Sequence, residues 1–462
     1  MKKLLLGTSA LVAAGLFSNG ALAQTATTDQ PVQMKIGGQY YAGIGDMIAQ
    51  DDNPGESAYK RNPISVQEYF LIRFIGSTTF SNGITAGVWT RLNAFSAPNA
   101  TASSVSGFQS SNNTTIKDSY VFLKNAPVWG ELRLGDDTDV RRNFAVGGSG
   151  VSGDGNVSAN SPALQWTNSP VYNFTTWNLD ARATKIEYFS PTIAGFQFGV
   201  SFAPDKAGGH SYGPGNDGDN NGLTDRITNG LTASYDNSST AYNYWSAGAT
   251  WTGTFGPTKI QTSLAYSTAS RKCAVNANLT TALGTEASAT NCSILGSGGT
   301  QNADPKAFNA GLQADYGPFS LGVNYEQTVA VPGAFFGIGQ ATAFNSAGAV
   351  TTTVVRTNEM VNKQVDFNLS YTIGAIKYGT EYSRGAFEGI TGDADVKRAA
   401  INNEIQLYAA YQVGPGVQIA GIVQQEDYDP NGKYIALSGG ASNVYAKGFD
   451  STALIFETQL KF

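Results

Sequence analysis

Histidine, cysteine and charged residues are scarce in this chain. Its 462 residues include one histidine, two cysteines and only 14% charged residues. A catalytic triad or a cluster of metal ligands therefore has little to be built from. The single histidine, His210, stands in the glycine-containing stretch GGHSYG, so an acid-base site would depend on that one residue. The sequence predicts no enzyme.

Long apolar runs are missing as well. The longest, Leu4 to Phe17, is shorter than the ~20 residues that a membrane-spanning helix needs. It follows the basic pair Lys2-Lys3 and precedes Ala21-Leu22-Ala23, an A-x-A cleavage site. These three features predict a secretory signal peptide over residues 1–23 and a mature chain over 24–462. They argue against an integral membrane protein of the helical type.

Basic patches are absent too, and this weighs against a nucleic-acid partner. The formal net charge is -6, and it becomes -8 without Lys2 and Lys3. The two cysteines, Cys273 and Cys292, lie in one polar segment rich in alanine and threonine. In an exported protein they predict a disulfide that closes a surface loop, with two unpaired thiols as the alternative.

Glycine, tyrosine and phenylalanine are abundant instead, with 54, 22 and 24 residues. This composition favours strands and turns. Apolar and polar residues alternate with period 2 in an opening strand, MKIGGQYYAG, in seven hairpins and in a closing strand, LIFETQLKF. The pattern predicts about sixteen strands, each apolar on one face, and the even number places both chain ends on the same side.

The connections between these strands fall into two classes. Tight turns with glycine or proline, such as SNG, YGP and VGPG, join the strands within each hairpin, and long polar segments join one hairpin to the next. A soluble β-sandwich would not separate its loops so consistently by length. Ten residues at about 3.3 Å each, tilted by ~45°, cover about 23 Å, close to the apolar band of an outer-membrane barrel. We therefore expect a transmembrane antiparallel β-barrel with short periplasmic turns and long extracellular loops.

Several stretches resemble the general porins of Gram-negative outer membranes, and among them the alphaproteobacterial type. They are YVFLKNAPVWGELRLGDD, IEYFSPTIAGFQFGVSF and the terminal FETQLKF. The resemblance implies an outer-membrane location, a sixteen-stranded barrel, a homotrimer and a third long loop folded into the lumen. It also implies that the terminal Phe462 acts as the signal read by the barrel-assembly machinery.

Charged residues around the third long connection, from Asp136 to about Asp180, are candidates for the pore constriction. On the strands, Lys35 shares its face with Gln39, Arg73 with Gln67, Arg91 with Asn93 and Arg133 with Glu131, so all four cations should point into the lumen. A cation facing lipid at mid-depth would cost ~2 to 4 kcal/mol. The alternative is that these cations are solvated in a wide lumen or anchor the loop through salt bridges. The acidic candidates in the connection are Asp136, Asp137, Asp139 and Asp154.

One further segment, DGDNNGLTD, has the spacing of a calcium-binding loop. It places Asp217, Asp219, Asn221 and Asp225 at ligand positions, but Thr228 stands where such loops carry a bidentate glutamate. Calcium is therefore one interpretation, and a solvated acidic extracellular loop is the other. No other cofactor is indicated.

The expected function is passive diffusion of ions and small hydrophilic solutes across the outer membrane. A solute-selective channel for a sugar or an organic anion is the alternative, and it would need an aromatic slide or a dense ladder of cations in the lumen. A structural or adhesive barrel with a plugged lumen would need an inserted domain, which the sequence does not show.

Overall fold

The computed structural model describes sixteen barrel strands and parts of the connections between them. The described residues are 31–50, 63–94, 115–147, 179, 183–205, 241–271, 304–329, 343–344, 350–351, 359–390, 400–429 and 449–462. The strands are β1 (Gln33–Gln50), β2 (Ile64–Thr79), β3 (Thr85–Ala94), β4 (Thr115–Asn125), β5 (Gly130–Asp136), β6 (Thr184–Phe189), β7 (Phe196–Asp205), β8 (Ala241–Phe255), β9 (Thr258–Arg271), β10 (Lys306–Tyr316), β11 (Phe319–Val329), β12 (Ala343–Phe344), β13 (Val350–Thr351), β14 (Glu359–Ile373), β15 (Ile376–Ile390), β16 (Ala400–Gly414), β17 (Val417–Asp429) and β18 (Phe449–Lys461).

All strands except β12 and β13, which form a separate two-stranded ladder, belong to one closed antiparallel barrel. Each barrel strand pairs with its neighbours in sequence, and β11 pairs with β14. The prediction of sixteen strands, seven hairpins and two end strands is confirmed. The hairpins are longer than the alternating segments indicate, since β15 runs to Ile390 and β16 begins at Ala400. Backbone pairing continues there because it does not require alternating side chains.

The closing strand β18 pairs with the first strand, β1, and with the strand that precedes it, β17. Its Leu460 lies opposite Tyr40 of β1 and Val417 of β17. Such closure leaves no unpaired strand edge, which matters in lipid because each unsatisfied backbone group there costs several kcal/mol. The last residue completes the seam, because the backbone N–H of Gly38 donates to the Phe462 carbonyl at 2.8 Å and the Phe462 N–H donates to the Gly38 carbonyl at 3.1 Å.

The two faces of the barrel differ in polarity as the alternation predicts. Outward-facing side chains are apolar and exposed, for example Ile44, Phe198, Leu264 and Phe456. Inward-facing side chains on the same strands are mostly polar and buried, for example Ser267 and Glu457. Among the described residues, no helix has the length and apolar character needed to cross a membrane.

Candidate functional site inside the barrel

A short helix lies inside the barrel directly after β5. Helix α1 (Val140–Asn143) begins at Asp139, whose side chain accepts a hydrogen bond from the backbone N–H of Arg142 at 2.9 Å and so caps the helix. The described segment around it, residues 137–147, contacts inward-facing side chains of the barrel wall. We call these residues the inward segment. They form the first part of the long connection that the sequence singles out.

Arg141 is the main electrostatic contact between the inward segment and the wall. It is fully buried, and its Nη1 donates to Oε2 of Glu326 on β11 at 2.6 Å. Its backbone N–H donates to the hydroxyl of Ser246 on β8 at 3.1 Å. Asp139 accepts a hydrogen bond from the hydroxyl of Ser267 on β9 at 3.0 Å. One turn of helix is thereby fixed to three strands of the wall.

The other end of the inward segment lies against a small-residue patch of the wall. The side-chain amide of Asn324 donates to the Val146 carbonyl at 2.7 Å. A Cβ built on Gly311 of β10 would lie only 2.0 Å from that same carbonyl oxygen. Glycine at 311 therefore allows the two backbones to approach more closely than any other residue would.

Replacing Gly311 by alanine is expected to displace the inward segment from the wall, because the clash is with a backbone atom that cannot rotate away. Overpacking of this kind typically costs about 1–3 kcal/mol. In planar-bilayer recordings the G311A channel should show more open-channel current noise than the parent. The matched control is G421A, because Gly421 also lies on a strand and no described residue has an atom within 4 Å of an added Cβ there. Equal noise in G311A and G421A would contradict the predicted displacement.

Arg133, one of the four predicted lumen cations, does face the lumen. Its guanidinium donates to Glu131 at 2.7 Å and to Asp137 at 2.8 Å. It also lies between two aromatic rings, with its Cζ 4.9 Å from the ring centre of Tyr120 and 4.5 Å from that of Phe189. Cation–π contacts and ion pairs hold this side chain in one place. It links the wall to the inward segment, which is the anchoring role that the sequence left open as an alternative.

The other three cations have different surroundings. Arg91 also points inward, and its Nη2 lies 2.5 Å from Oδ2 of Asp118 on β4. Arg73 lies directly opposite Arg91 on the neighbouring strand and shares its face. Lys35 has the same parity as the buried Gln39 but is itself exposed, close to the end of β1 where the short turns lie. Arg73, Arg91 and Arg133 thus lie on the inner wall of β2, β3 and β5.

The three acidic candidates that the structure describes have different surroundings. Asp136, the last residue of β5, has the outward parity of Leu134, and the hydroxyl of Thr184 donates a hydrogen bond to it. Asp137 is buried against Arg133, and its carbonyl accepts from the Lys185 ammonium. Asp139 caps α1 and contacts Ser267. Asp154 lies outside the described residues.

Other predicted sites also lie outside the described residues. They are the signal peptide, His210, the calcium candidates Asp217, Asp219, Asn221 and Asp225, and the cysteines Cys273 and Cys292. Within the part of the chain that the structure describes, no group of three histidine, cysteine or acidic side chains is placed to hold one metal ion.

Sequence reasoning missed two features of the inner wall. The first is a row of acidic and amide side chains on β14–β17, which includes Glu404 and Glu426 directly opposite each other. Their inward parity could have been read from the sequence, but their juxtaposition depends on strand register. The second is a set of inward aromatic rings: Trp89 stacks on Tyr120 with centroids 5.2 Å apart, and Tyr41 lies 6.1 Å from Tyr69.

A closed barrel of sixteen antiparallel strands with an apolar outer surface is the architecture of transmembrane β-barrels of outer membranes. The family model of Gram-negative porins matches residues 8–432 of this chain. The chain therefore belongs to the Gram-negative porin family. It is an outer-membrane protein that forms a passive channel.

Two solved structures are similar to this chain at low sequence identity. The outer membrane channel DcaP of Acinetobacter baumannii is 10% identical, with a TM-score of 0.51 over 93% of this chain and 97% of that chain. An anion-selective porin from Comamonas acidovorans is 13% identical, with a TM-score of 0.48 over 94% of this chain and 100% of that chain. No curated protein sequence matches the chain.

Proposed function

We propose that this porin passes ions and small hydrophilic solutes, that the inward segment narrows its lumen, and that it catalyses no reaction. The carrying observation is the fixed position of α1, whose buried Arg141 pairs with Glu326 on the wall. A backbone segment held inside a barrel by a buried ion pair and by hydrogen bonds to β8, β9 and β11 occupies lumen volume permanently. It therefore sets an upper limit on the size of a permeant solute.

The charges of the constriction are assigned by proximity to this segment. Arg133 contacts Asp137 of the inward segment, and Arg73 and Arg91 lie on β2 and β3 of the same inner wall. Charged side chains that line a narrow passage favour polar solutes over apolar ones. The proposed role of Asp137 and Asp139 is to fix the segment, because both are buried in contacts with the protein.

A homotrimer is proposed as the assembly. Support comes from polar side chains on the outward parity of β3–β6, where lipid would otherwise be the neighbour. Thr90 and Ser119 share a hydrogen bond of 3.1 Å, and Thr184 donates to Asp136. These four residues lie directly opposite one another on adjacent strands and form one row: Thr90, Ser119, Asp136 and Thr184. Such a row is better accommodated against another protein copy than against acyl chains.

A sugar-selective channel is the second candidate, and the inward aromatic rings favour it. The stacked pair Trp89 and Tyr120, with Arg133 over the Tyr120 ring, places aromatic rings beside a cation on the inner wall. Aromatic faces bind apolar ring faces, while charged groups bind hydroxyls. Closure of the conductance by one particular sugar would favour this candidate over the unselective channel.

Planar-bilayer recording of the purified protein tests the proposal. We expect a large ohmic conductance that appears in steps of three, since three channels enter the bilayer together. Single steps would contradict the trimer alone. The absence of any conductance in bilayers containing correctly folded protein would contradict the channel itself.

Four further expectations from the sequence remain proposals. The mature chain begins at Gln24, the disulfide joins Cys273 to Cys292, a calcium ion binds at Asp217 to Asp225, and the assembly machinery reads Phe462. The calcium proposal is the simplest to test, because it requires a calcium-dependent change in thermal unfolding. An unchanged unfolding temperature with calcium and with a chelator would remove it.

A further inference from the structure

Four carboxylates come together on the inner wall of β14–β17, beside the strand β11 to which the inward segment is bound. Asp366, Glu404 and Glu426 belong to one cross-strand row, because Asp366 lies opposite Ser383, Ser383 opposite Glu404, and Glu404 opposite Glu426. Glu381 lies in the next row, between Asn368 and Gln406. We call these four side chains the acidic wall. All four are completely buried.

The register places like charges next to each other. Directly opposite residues in an antiparallel pair have Cβ atoms about 4.5–5.5 Å apart, and diagonal neighbours about 7–8 Å apart. Glu404 and Glu426 are a direct pair, and Glu381 is a diagonal neighbour of Glu404. Like charges in this arrangement destabilise a sheet unless something of opposite charge lies between them.

Hydrogen bonds within the protein satisfy the acidic wall only in part. Oε1 of Glu426 accepts from the Asn402 amide at 2.8 Å, and Oε1 of Glu404 accepts from the Gln406 amide at 3.4 Å. Among the described residues, none donates a hydrogen bond to either carboxylate oxygen of Glu381 or to Oε2 of Glu404. Lys377, four residues before Glu381 on β15, offsets the charge of Glu381 in part. A buried carboxylate whose oxygens bond to nothing is costly unless a cation or another donor reaches it.

We infer that the acidic wall is a binding site for monovalent cations, either hydrated alkali ions or organic ammonium ions, and that it makes the channel cation-selective. This inference rests on the proposed channel function. Direct coordination of a metal is not the mode, because within the described ranges no three acidic side chains converge on one ion position. The cation stays in the lumen and is held there by Coulomb attraction to the four carboxylates, because their oxygens are completely buried.

The acidic wall and the three inward arginines described above occupy different sectors of the barrel. The carboxylates lie on β14–β17, whereas Arg73, Arg91 and Arg133 lie on β2, β3 and β5. In the strand order, β18 and β1 separate the two groups on one side and β6–β11 on the other. The acidic side of the lumen is therefore supplied by the wall itself and not by the acids of the inward segment.

The test is the reversal potential of the channel in a potassium chloride gradient. The parent channel is expected to favour potassium over chloride. When water fills the pore, a carboxylate at a comparable distance from a passing ion changes the potassium-to-chloride permeability ratio about threefold. The variant E404Q/E426Q removes two carboxylates and should therefore lower this ratio about tenfold. The control is D315N, which removes an inward carboxylate on β10 that bonds to Gln313 and Ser320. This control should leave the ratio close to that of the parent.

E381Q is the second variant. It keeps the test valid if E404Q/E426Q fails to fold. Neither carboxylate oxygen of Glu381 accepts a hydrogen bond from a residue that the structure describes, so the amide interrupts no described hydrogen bond. It should fold as the parent does and lower the ratio about threefold. A chloride-selective parent, or conducting variants with the parent's ratio, would overturn the inference, and the second result would mean that protons neutralise the acidic wall. A protein without conductance would instead overturn the proposed function.

Discussion

Substitution of Glu326 by alanine is expected to release α1 from the barrel wall. The variant leaves Arg141 as a buried charge without its closest partner, and removing one member of a buried pair typically costs about 3–5 kcal/mol. Most of this free-energy cost should destabilise the attachment of the inward segment to the wall, because the strands keep their backbone pairing. The N–H of Arg141, which donates to Ser246 in the parent, should then exchange with solvent deuterium about a hundred to a thousand times faster.

Two comparisons make the result specific to the ion pair. The double variant R141M/E326L removes both charges and should recover most of the protection, because an apolar pair of similar volume can replace a buried salt bridge. The matched control is R142M, which makes the same change at the neighbouring, less buried position. If E326A exchanged as slowly as R142M, the ion pair would not be what holds the segment.

Deletion of Phe462 is expected to reduce assembly into the outer membrane at least tenfold. The deletion removes the two backbone hydrogen bonds with Gly38 that end the β1–β18 seam. It also removes the ring that packs against Gly38, where an added Cβ would lie 2.6 Å from the ring. The measurement is the amount of heat-modifiable barrel in purified outer membranes. F462Y keeps the ring and should assemble normally.

A control in a turn and a refolding experiment separate the possible causes. A375S changes an exposed residue in the short turn between β14 and β15 and should not alter the yield. If the deleted chain refolds in detergent as well as the parent, its defect lies in recognition by the assembly machinery. If it fails to refold, the seam itself is the cause. Unchanged membrane yield would contradict both explanations.

Much of the barrel could be predicted because lipid imposes a simple rule on sequence. Each strand must present apolar residues outward, so the alternation in VDFNLSY already separates Val365 and Leu369 from Asp366 and Asn368. The inward orientation of Arg91 and Arg133 follows from the same alternation. The strand ends were less predictable, because pairing beyond the apolar band, as in β15 up to Ile390, needs no alternation.

The arrangement of charges inside the barrel could not be predicted in this way. Asp136 shows the reason: it is adjacent to the inward segment in sequence, but its position on β5 gives it the outward parity. Arg141 lies in the long connection after β5, and its partner Glu326 is 185 residues away. The sequence around Arg141 does not indicate Glu326 as its partner, and the sequence around Glu326 does not indicate Arg141.

The sequence by itself therefore determined the membrane-facing surface, the number of strands and the closure at LIFETQLKF. These depend on period-2 alternation and on the segregation of short turns from long loops, which are local properties of the chain. Only the tertiary structure decided which charges meet: Arg141 with Glu326, Arg91 with Asp118, and Glu404 with Glu426. Such contacts depend on the register between strands and on the path of a segment through the lumen, and both are fixed only when the barrel closes.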